Sequence, residues 1–305
     1  MARDVYAVVD VGGTKLLLIM VQPDGTVVYR EKFSTLKESE EFDLADEINR
    51  AMEEGLKAGN YSLMGAGVCM AGLLDFRTGQ IFSAPNLPVP YRYPLGEKLK
   101  EKWKVPVMVE NDCNAAVLGE VFFGAARGKS HVIYVTVSTG IGTGFFLQNR
   151  LYRGARGFAA EAGHTKTFGD LTCNCGGKGC LESETSGEAI SRKAVERLAN
   201  TGIEEISTRE VFQKARKGDP DAAALIEEAL EKLGLGLANL VTLLDPEAVI
   251  IGGGVSAEEE TIFPRIREGI TAYSFNPAAA EVEIRKAELE PEAGVWGMFQ
   301  LLNQA

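Results

Sequence analysis

Three thiols and one imidazole lie close together in one stretch of the chain. His164 is followed by Cys173, Cys175 and Cys180, and the whole chain has only two histidines. Thiolate sulfurs and imidazole nitrogens are ligands of Zn²⁺, and four of them complete a closed tetrahedral site. The spacing therefore predicts a structural zinc ion at these four residues. The alternative, reduced surface cysteines, would leave a long glycine-rich loop without an anchor.

Three glycine-rich turns each follow an apolar, strand-like run. Glycine lets backbone N–H groups approach an anion closely, and threonine hydroxyls add further donors. One such turn alone is more often a simple tight hairpin, but three in one chain predict a site for nucleotide phosphates. The candidate residues are Asp10, Gly12, Gly13, Thr14 and Lys15 in the first turn, Thr139, Gly140 and Gly142 in the second, and Gly253 and Gly254 in the third.

The first turn is not a Walker P-loop. Lys15 is followed by LLLIM, which has the pattern of a strand, whereas that motif requires a helix after its lysine. Asp10 stands at the end of the first predicted strand and could hold Mg²⁺ beside the phosphates, directly or through water. The alternative for Asp10 is an aspartate that only forms the turn.

Three further acids are candidates for chemistry. Asp112 is a candidate for a general base that takes the proton of a hydroxyl group. Asp112 follows the strand VPVMVE and precedes a helical pattern, so these residues by themselves favour a simple N-cap. Glu161 and Glu182 flank the predicted zinc loop, residues 161–182, which could aim both carboxylates and the free nitrogen of His164 at a polyhydroxyl ligand. For either glutamate alone, a surface role is the default.

The surrounding segments predict two α/β lobes facing each other across a cleft. Residues 5–20 and 132–146 share one plan of strand, glycine turn and strand, which indicates an internal repeat. We predict a small lobe over 1–115, joined by a C-terminal helix at 290–305, and a large lobe over 116–289. The other predicted elements are an antiparallel meander over 5–33, helices at 41–57, 114–126, 187–199, 208–217, 219–244 and 257–272, strands at 63–70, 105–110 and 248–256, and a long loop at 151–185.

The composition excludes several classes of protein. The 305 residues carry a formal net charge of -11 without a long basic run. Nucleic-acid binding needs clustered lysine and arginine, so we expect no nucleic-acid partner. No apolar stretch approaches the ~20 residues that span a bilayer, and the N-terminus lacks the order of a signal peptide. We therefore expect a globular cytoplasmic protein without a membrane partner.

The motifs in this order resemble a known superfamily. The runs DVGGTK, STGIGTG and IIGGGVS resemble the phosphate and adenosine motifs of the actin and sugar-kinase ATPases. Within it, ENDCNAA, GFAAEAGH and CNCGGKGCLE resemble the ROK family of repressors and sugar kinases. This resemblance covers nearly the whole chain. It implies a two-lobed, actin-like (ribonuclease H-like) α/β fold, in which each lobe is a mixed sheet flanked by helices, and it implies a homodimer.

The resemblance also implies an activity. It indicates an ATP-dependent hexokinase, most simply a glucokinase that phosphorylates the 6-hydroxyl of glucose for glycolysis, with Asp112 as the catalytic base. N-acetylglucosamine, N-acetylmannosamine, mannose, fructose and allose remain alternative substrates. The positions that match sugar-binding residues of the family are Gly72, Asn86, Asn111, Asp112, Glu161, His164 and Glu182.

The chain departs from the family pattern at three positions. Ala71 replaces a proline and Ala160 a glycine near the sugar-facing loops, and Ser138 replaces a glycine at the second phosphate turn. A rival function is that of a sugar-sensing repressor, but such repressors carry a helix-turn-helix module before the first glycine turn, which this chain reaches at Asp10. A catalytically dead sugar-binding protein would show damaged phosphate turns or lack Asp112.

Overall fold

The chain folds into two compact units. The computed structural model describes residues 2–35, 42–167, 169–197 and 204–304. Unit 1 comprises 1–127, 151–159 and 291–305, and unit 2 comprises 128–150 and 160–290. The predicted boundary at 115/116 falls inside helix α3 (Asp112–Phe122). This helix belongs whole to unit 1, because it packs along α9 (Ala293–Asn303).

Unit 1 is built on a mixed sheet with the strand order β3-β2-β1-β4-β7. Strand β1 pairs antiparallel with β2 and parallel with β4, and β4 is parallel to β7. A separate short hairpin, β5–β6, follows β4. The elements are β1 (Arg3–Val11), β2 (Lys15–Val21), β3 (Val27–Ser34), α1 (Leu44–Lys57), β4 (Tyr61–Met70), β5 (Leu73–Asp75), β6 (Gln80–Ser83), α2 (Leu95–Trp103), β7 (Val107–Asn111), α3 and α9.

The strands β1, β2 and β4 are buried on both faces over most of their length, which explains why they read as nearly continuous apolar runs, whereas the edge strand β3 is largely exposed. Side chains alternate along β1, so Val5, Ala7 and Val9 share one face and pack in the same apolar cluster as residues of α1 and α2. Val8 points to the other face and packs with Met298 of α9. The strand period of two therefore divides unit 1 into two apolar layers around one sheet.

Unit 2 repeats the plan of unit 1. Its sheet has the order β10-β9-β8-β11-β12, with β8 antiparallel to β9 and parallel to β11, and with β11 parallel to β12. The predicted internal repeat is confirmed, because the hairpins β1–β2 and β8–β9 hold equivalent places. The elements are β8 (His131–Val137), β9 (Ile141–Leu147), β10 (Arg150–Leu151), α4 (Leu181–Thr185), α5 (Gly187–Arg197), α6 (Thr208–Arg216), α7 (Pro220–Leu244), β11 (Ala248–Gly252), α8 (Glu259–Tyr273) and β12 (Glu283–Lys286).

Most predicted elements are present with shifted ends. The predicted helix 41–57 begins at Leu44, because Asp43 caps it through the amides of Ala45 and Asp46. Residue 41 and residues 198–199 of two predicted helices lie outside the described part of the chain. The predicted strand 248–256 ends at Gly252 and passes into a 3₁₀ turn, Gly254–Ala257. The C-terminal helix, expected from 290, begins at Ala293.

Helix α3 lies earlier than the predicted 114–126. It starts at Asp112 and ends at Phe122. The buried carboxylate of Glu120 accepts a hydrogen bond from the amide of Ala125 at 2.7 Å. This side-chain acceptor replaces the next helical carbonyl and turns the chain away. The predicted long loop 151–185 is also partly wrong, since it contains the 3₁₀ turn Ala162–His164 and ends in α4.

Helix α3 is fixed by two glycines that allow close contact with α9. A Cβ atom at Gly297 would overlap the carbonyl oxygen of Ala115, and one at Gly119 would overlap that of Ala293. Backbone atoms cannot move aside as a flexible side chain could. The two helices therefore approach at a distance that only glycine permits, and this contact holds α3, which begins at Asp112, against α9.

We predict that Gly297→Ala destabilises unit 1 by about 2 kcal/mol, because overpacking against a backbone costs more than the helix propensity of alanine recovers. Both tryptophans, Trp103 and Trp296, lie in unit 1, so urea unfolding followed by tryptophan fluorescence reports on it. Gln300→Ala on the same helix serves as the control. An unchanged or higher urea midpoint for Gly297→Ala would contradict this packing.

In unit 2, a buried carboxylate ties segment 165–180 to the helices. Glu184 accepts hydrogen bonds from Lys193 at 2.9 Å, from Lys232 at 2.8 Å and from the amide of Leu171 at 3.3 Å. Its side chain is only 2% exposed. Burial opposes its ionisation, but the hydrogen bonds from Lys232 and Lys193 outweigh burial and lower the pKa of Glu184 to about 2.

We predict that Glu184→Gln lowers the free energy of unfolding by about 3 kcal/mol at pH 7, since the pKa difference between the unfolded and folded states is worth that amount. Because the pKa of Glu184 is lower in the folded state than in the unfolded state, its ionisation stabilises the fold at pH values above the unfolded pKa, 4.5. This stabilisation is lost as the pH falls from 4.5 to about 2. The difference in unfolding free energy between the unaltered chain and Glu184→Gln should therefore shrink across that pH range. Circular dichroism during urea unfolding measures it, with exposed Glu188→Gln as control; a constant difference refutes the assignment.

Candidate active site and metal centre

Two carboxylates of unit 1 lie near a buried thiol. Asp10 is the last residue but one of β1, and its Oδ1 atom lies 3.7 Å from the Sγ atom of Cys69 in β4. Burial and then the charge of neighbouring Asp112 raise the pKa of Asp10 to about 7. Burial also raises the pKa of Asp112, against the opposing hydrogen bond from the amide of Cys113. Neighbouring acids with raised pKa values are typical of a site that binds a cation or exchanges a proton.

Asn111, and not Asp112, caps helix α3. The Oδ1 atom of Asn111 accepts from the amides of Cys113 at 2.9 Å and Asn114 at 3.1 Å, and its Nδ2 atom donates to the carbonyl of Gly72 at 3.4 Å. Asp112 is the first residue of the helix, where its Oδ1 accepts from the amide of Cys113 at 2.9 Å. The helix therefore does not depend on Asp112 for its cap.

Glu110 and Arg153 support the junction between β7 and α3, and the sequence analysis did not identify either of them. Buried Glu110 accepts from the amide of Asn111 and from Nδ2 of Asn114, each at 3.0 Å, and from Nε of Arg153 at 2.6 Å. The guanidinium of Arg153 also lies 4.6 Å from the centre of the Phe76 ring. The sequence offers one signal for Glu110, which is an acid at the end of an apolar strand. Its partner Arg153, however, lies 43 residues further along the chain.

The first glycine turn lies against a predicted sugar-binding residue. The amide of Gly12 donates to the carbonyl of Lys15 at 2.9 Å, and the carbonyl of Thr14 accepts from the amide of Thr35. A Cβ atom at Gly13 would lie 3.0 Å from the Cβ atom of Asn86. The structure therefore brings the first turn and exposed Asn86 together within unit 1.

Gly72 is placed by a requirement of the backbone. Its φ angle is +134°, and a Cβ atom there would overlap the carbonyl of Ser83 across the β5–β6 hairpin. Side chains rarely adopt that φ, so the position requires glycine. Its carbonyl accepts from Asn111, which puts two predicted sugar-binding positions in contact.

The second glycine turn, in unit 2, is held by residues around the metal cluster. The amide of Ser138 donates to the carbonyl of Gly140 at 2.9 Å, and the carbonyl of Ser138 accepts from the amide of Gly187 at 2.7 Å. Glu182 Oε2 accepts from the amide of Ile141 at 2.9 Å. Exposed Thr139 follows Ser138, and Gly142 already lies in β9 opposite Thr136.

The third glycine turn is held by an acid that our sequence reasoning missed. Glu290 Oε1 accepts from the amide of Gly253 at 2.8 Å and from the hydroxyl of Tyr134 at 2.6 Å. Gly253 has a φ of +84°, whereas a Cβ atom at Gly254 would meet no heavy atom within 4 Å. The open backbone at Gly254 is therefore the accessible part of this turn.

The four predicted metal ligands come together. One ligand atom from each of His164, Cys173, Cys175 and Cys180 lies within 4.8 Å of the others. Cys175 Sγ is 3.6 Å from Cys180 Sγ, and Cys173 Sγ is 3.6 Å from His164 Nδ1. Zinc bonds of about 2.3 Å to sulfur and 2.0–2.1 Å to nitrogen in a tetrahedron give ligand separations of about 3.6–3.8 Å. The donor set and its spacing therefore fit a tetrahedral metal ion.

The turn between the cysteines shapes this cluster. The amide of Cys173 donates to the carbonyl of Gly177 at 2.8 Å, and the amide of Gly176 donates back to the carbonyl of Cys173 at 2.9 Å. Gly176 and Gly179 have φ angles of +82° and +66°. The glycines of the CNCGGKGC run therefore fold the three sulfurs onto one side of the loop.

His164 connects the cluster to the predicted sugar-binding acids. Its Nδ1 atom faces Cys173, and its Nε2 atom lies 4.0 Å from Glu161 Oε2. Glu182 Oε1 lies 3.8 Å from Cys173 Sγ. The structure therefore brings Glu161 and His164 together as predicted ligands of a sugar, while one oxygen of Glu182 is engaged by the second glycine turn.

Comparison with known proteins identifies relatives along nearly the whole chain. The glucokinase of Halalkalibacterium halodurans is 33% identical over 98% of this chain and 95% of that protein. The xylose repressor of Caldicellulosiruptor bescii is 31% identical over 98% of this chain and 79% of that protein.

In the described part of the chain, no helix has the length and apolarity needed to span a bilayer.

Solved structures show the same fold. The ROK hexokinase from Thermus thermophilus matches with a TM-score of 0.83 and 34% identity, over 98% of this chain and 97% of that one. The ROK family glucokinase from Streptomyces griseus, in complex with glucose and AMPPNP, matches with a TM-score of 0.82 and 33% identity, over 99% and 100%. The fold is thus the predicted mixed α/β, actin-like one. With the ROK family model matching residues 6–305, the chain belongs to the ROK family.

Proposed function

We propose that this protein is an ATP-dependent sugar kinase that transfers the γ-phosphate of ATP to the 6-hydroxyl of a hexose, with glucose as the first substrate to test. The observation that carries this proposal is the state of Asp112. It begins α3 without serving as the cap, and burial raises its pKa. The related glucokinases, and the glucose and AMPPNP complex of one of them, support the sugar and the phosphate donor.

Asp112 is proposed as the general base. Its carboxylate accepts from the amide of Cys113 at Oδ1 and also forms a hydrogen bond with the Cys113 side chain. Oδ2 would take the proton of the 6-hydroxyl. The hydroxyl oxygen would form a bond to the γ-phosphorus, while the bond between the γ-phosphorus and the oxygen that bridges it to the β-phosphate breaks. ADP and the sugar phosphate are the products. A raised pKa suits this role, since a base works best when its pKa lies near the working pH.

Asp10 is proposed to hold Mg²⁺. The carboxylate stands at the end of β1 with a pKa raised to about 7 by burial and by Asp112, so a nearby cation would relieve the unfavourable charge. Bound Mg²⁺ supplies neutralisation of the charge that develops on the phosphates. The glycine turns, with Gly12, Gly13 and Thr14 in unit 1, are proposed to donate their N–H and hydroxyl groups to phosphate oxygens.

The sugar is proposed to bind through polar groups that the structure already holds in place. Asn111 is fixed by its hydrogen bonds with the start of α3 and with Gly72, and exposed Asn86 lies beside Gly13. Glu161 and His164 Nε2 lie together at the edge of the metal cluster. Hydroxyl groups pair well with such carboxylate and amide oxygens. Glu182 would contribute the oxygen that does not accept from Ile141.

The cluster of His164 and three cysteines is proposed to bind structural zinc. Four protein ligands leave no open position for chemistry, which is typical of structural sites. The ion would hold the loop that carries Glu161 and Glu182. Zinc would therefore act on the sugar site through the shape of this loop.

A second candidate function is sugar sensing without phosphoryl transfer. The relatives include xylose repressors, at 31% identity for that of C. bescii, so this sugar-binding scaffold also occurs in regulators. The net charge of -11 disfavours nucleic acid as a partner. Xylose has no hydroxyl-bearing sixth carbon, which makes it a useful probe: a sensor can bind it, but it cannot be phosphorylated at that position.

The homodimer implied by the family resemblance also stays a prediction.

We predict sugar-dependent release of ADP from Mg-ATP with at least one of glucose, mannose, fructose, allose, N-acetylglucosamine and N-acetylmannosamine. Asp112→Asn should lower kcat by about 10²- to 10⁴-fold, because it removes the base. Exposed Asp4→Asn, on the same strand as Asp10, is the matched control and should retain activity. A coupled assay for ADP measures both.

Two outcomes would count against the kinase. If no sugar stimulates release above the level of Asp112→Asn, while calorimetry shows that xylose or glucose binds, the sensor becomes the better assignment. If Asp112→Asn keeps full sugar-dependent activity, the protein is a kinase but Asp112 is not its base.

We predict about one zinc ion per purified chain, since the four ligands form one tetrahedral site. Cys180→Ser should lose most of this zinc, whereas Cys113→Ser, outside the cluster, should keep it. Mass spectrometry of the elements in dialysed protein gives the stoichiometry. Equal zinc in the two variants would contradict the proposed ligands.

A further inference from the structure

Lys166 lies directly against the metal cluster. Its backbone forms an isolated antiparallel bridge with Cys180. On either side of this bridge, the amide of Thr167 donates to Gly179 at 2.8 Å and the amide of Leu181 donates to Thr165 at 2.9 Å. Directly opposed residues of an antiparallel pair carry their side chains on one face. The result is a distance of 2.9 Å between Lys166 Nζ and Cys180 Sγ.

The loop leaves space for this ammonium group. A Cβ atom at Gly177 would lie 2.7 Å from Lys166 Nζ, 3.5 Å from Cys175 Sγ and 3.7 Å from Cys180 Sγ. A side chain at 177 would therefore displace the exposed Lys166 ammonium group from this position. Glycine at this position allows Lys166 to lie beside two of the three sulfurs.

The net charge of the metal-bound cluster would favour an ammonium group at this position. Three thiolates and a neutral imidazole around a divalent cation carry a net charge of about −1, by the formal charges of a Cys₃His site. Cys173 and Cys180 are buried whereas Cys175 is exposed, so the negative charge on two of the three sulfurs is poorly solvated. An ammonium donor beside a thiolate forms a charge-assisted hydrogen bond and brings the sum to zero.

A second lysine of the same loop lacks this arrangement. Lys178 is exposed, and within the described residues its ammonium group makes no hydrogen bond or ion pair. The two lysines carry the same charge on one short segment. They therefore provide a matched pair in which only the contact with sulfur differs.

We propose that Lys166 is the counter-ion of the metal cluster: its ammonium group donates to the Cys180 thiolate, balances the excess negative charge of the zinc site and slows loss of the ion. This inference rests on the proposed zinc site. It assigns Lys166 as a positioning residue that acts through Cys180 and touches neither sugar nor nucleotide.

The test is competition for zinc between the full-length protein and the chromogenic chelator 4-(2-pyridylazo)resorcinol, which reads out affinity and release rate without any assay of activity. Lys166→Met and Lys166→Gln remove the charge with two different side-chain shapes, and Lys166→Arg keeps it. Lys178→Met is the control with the same change in net charge. Circular dichroism verifies that each protein is folded before zinc is removed.

We expect both neutral variants of Lys166 to bind zinc about 10- to 100-fold more weakly, as for other groups that hydrogen-bond to metal ligands. Lys166→Arg should retain most of the affinity, and Lys178→Met should match the unaltered chain. The proposal is overturned if Lys166→Met and Lys166→Gln hold zinc as tightly as Lys178→Met. If the unaltered chain takes up no zinc, the metal site itself fails and this inference fails with it.

Discussion

The parallel pairing of β1, β4 and β7 is the constraint on which the candidate active site depends. Its register places Asp10 beside Cys69 and Cys69 beside Glu110 in one row across three strands. Because parallel strands end at the same edge of a sheet, the residues that follow this row come together. Asp112 thus begins α3 near Asp10, although about a hundred residues separate them in the chain. A slip of one residue in either pairing would turn these side chains to the wrong face.

The same rule shapes unit 2, where β8 and β11 are parallel and Thr136 pairs with Gly252. Their ends therefore place the second and third glycine turns at one edge of this sheet. The second turn is also bound from outside, since Glu182 accepts from Ile141 and Gly187 donates to Ser138. Glu182 follows Cys180 by two residues. The shape of the loop that carries the candidate metal ligands and the shape of the second glycine turn are consequently linked through one carboxylate and a few backbone atoms.

Much of this arrangement could be predicted from local patterns. The two hairpins, the four metal ligands and the place of Asp112 after a strand all follow from residues near one another in sequence. What could not be predicted depends on distant partners. Glu110 reaches Arg153, and the Glu290 carboxylate is fixed by Tyr134, 156 positions away. The early end of α3 similarly required the side chain of Glu120 to take over a backbone amide, which helix periodicity does not reveal.

Ala160 shows how a departure from a family pattern acquires a physical meaning. Its φ is +67°, in the left-handed region where glycine is favoured, and a residue with a Cβ atom is strained there by about 1–2 kcal/mol. The structure opposes this strain with hydrogen bonds, since the Thr143 hydroxyl donates to the carbonyl of Ala160 and accepts from the amide of Ala162. Glu161 lies between these two anchored residues. The strained alanine therefore adds a methyl group beside a predicted sugar ligand, while hydrogen bonds on both sides hold the backbone that presents this ligand.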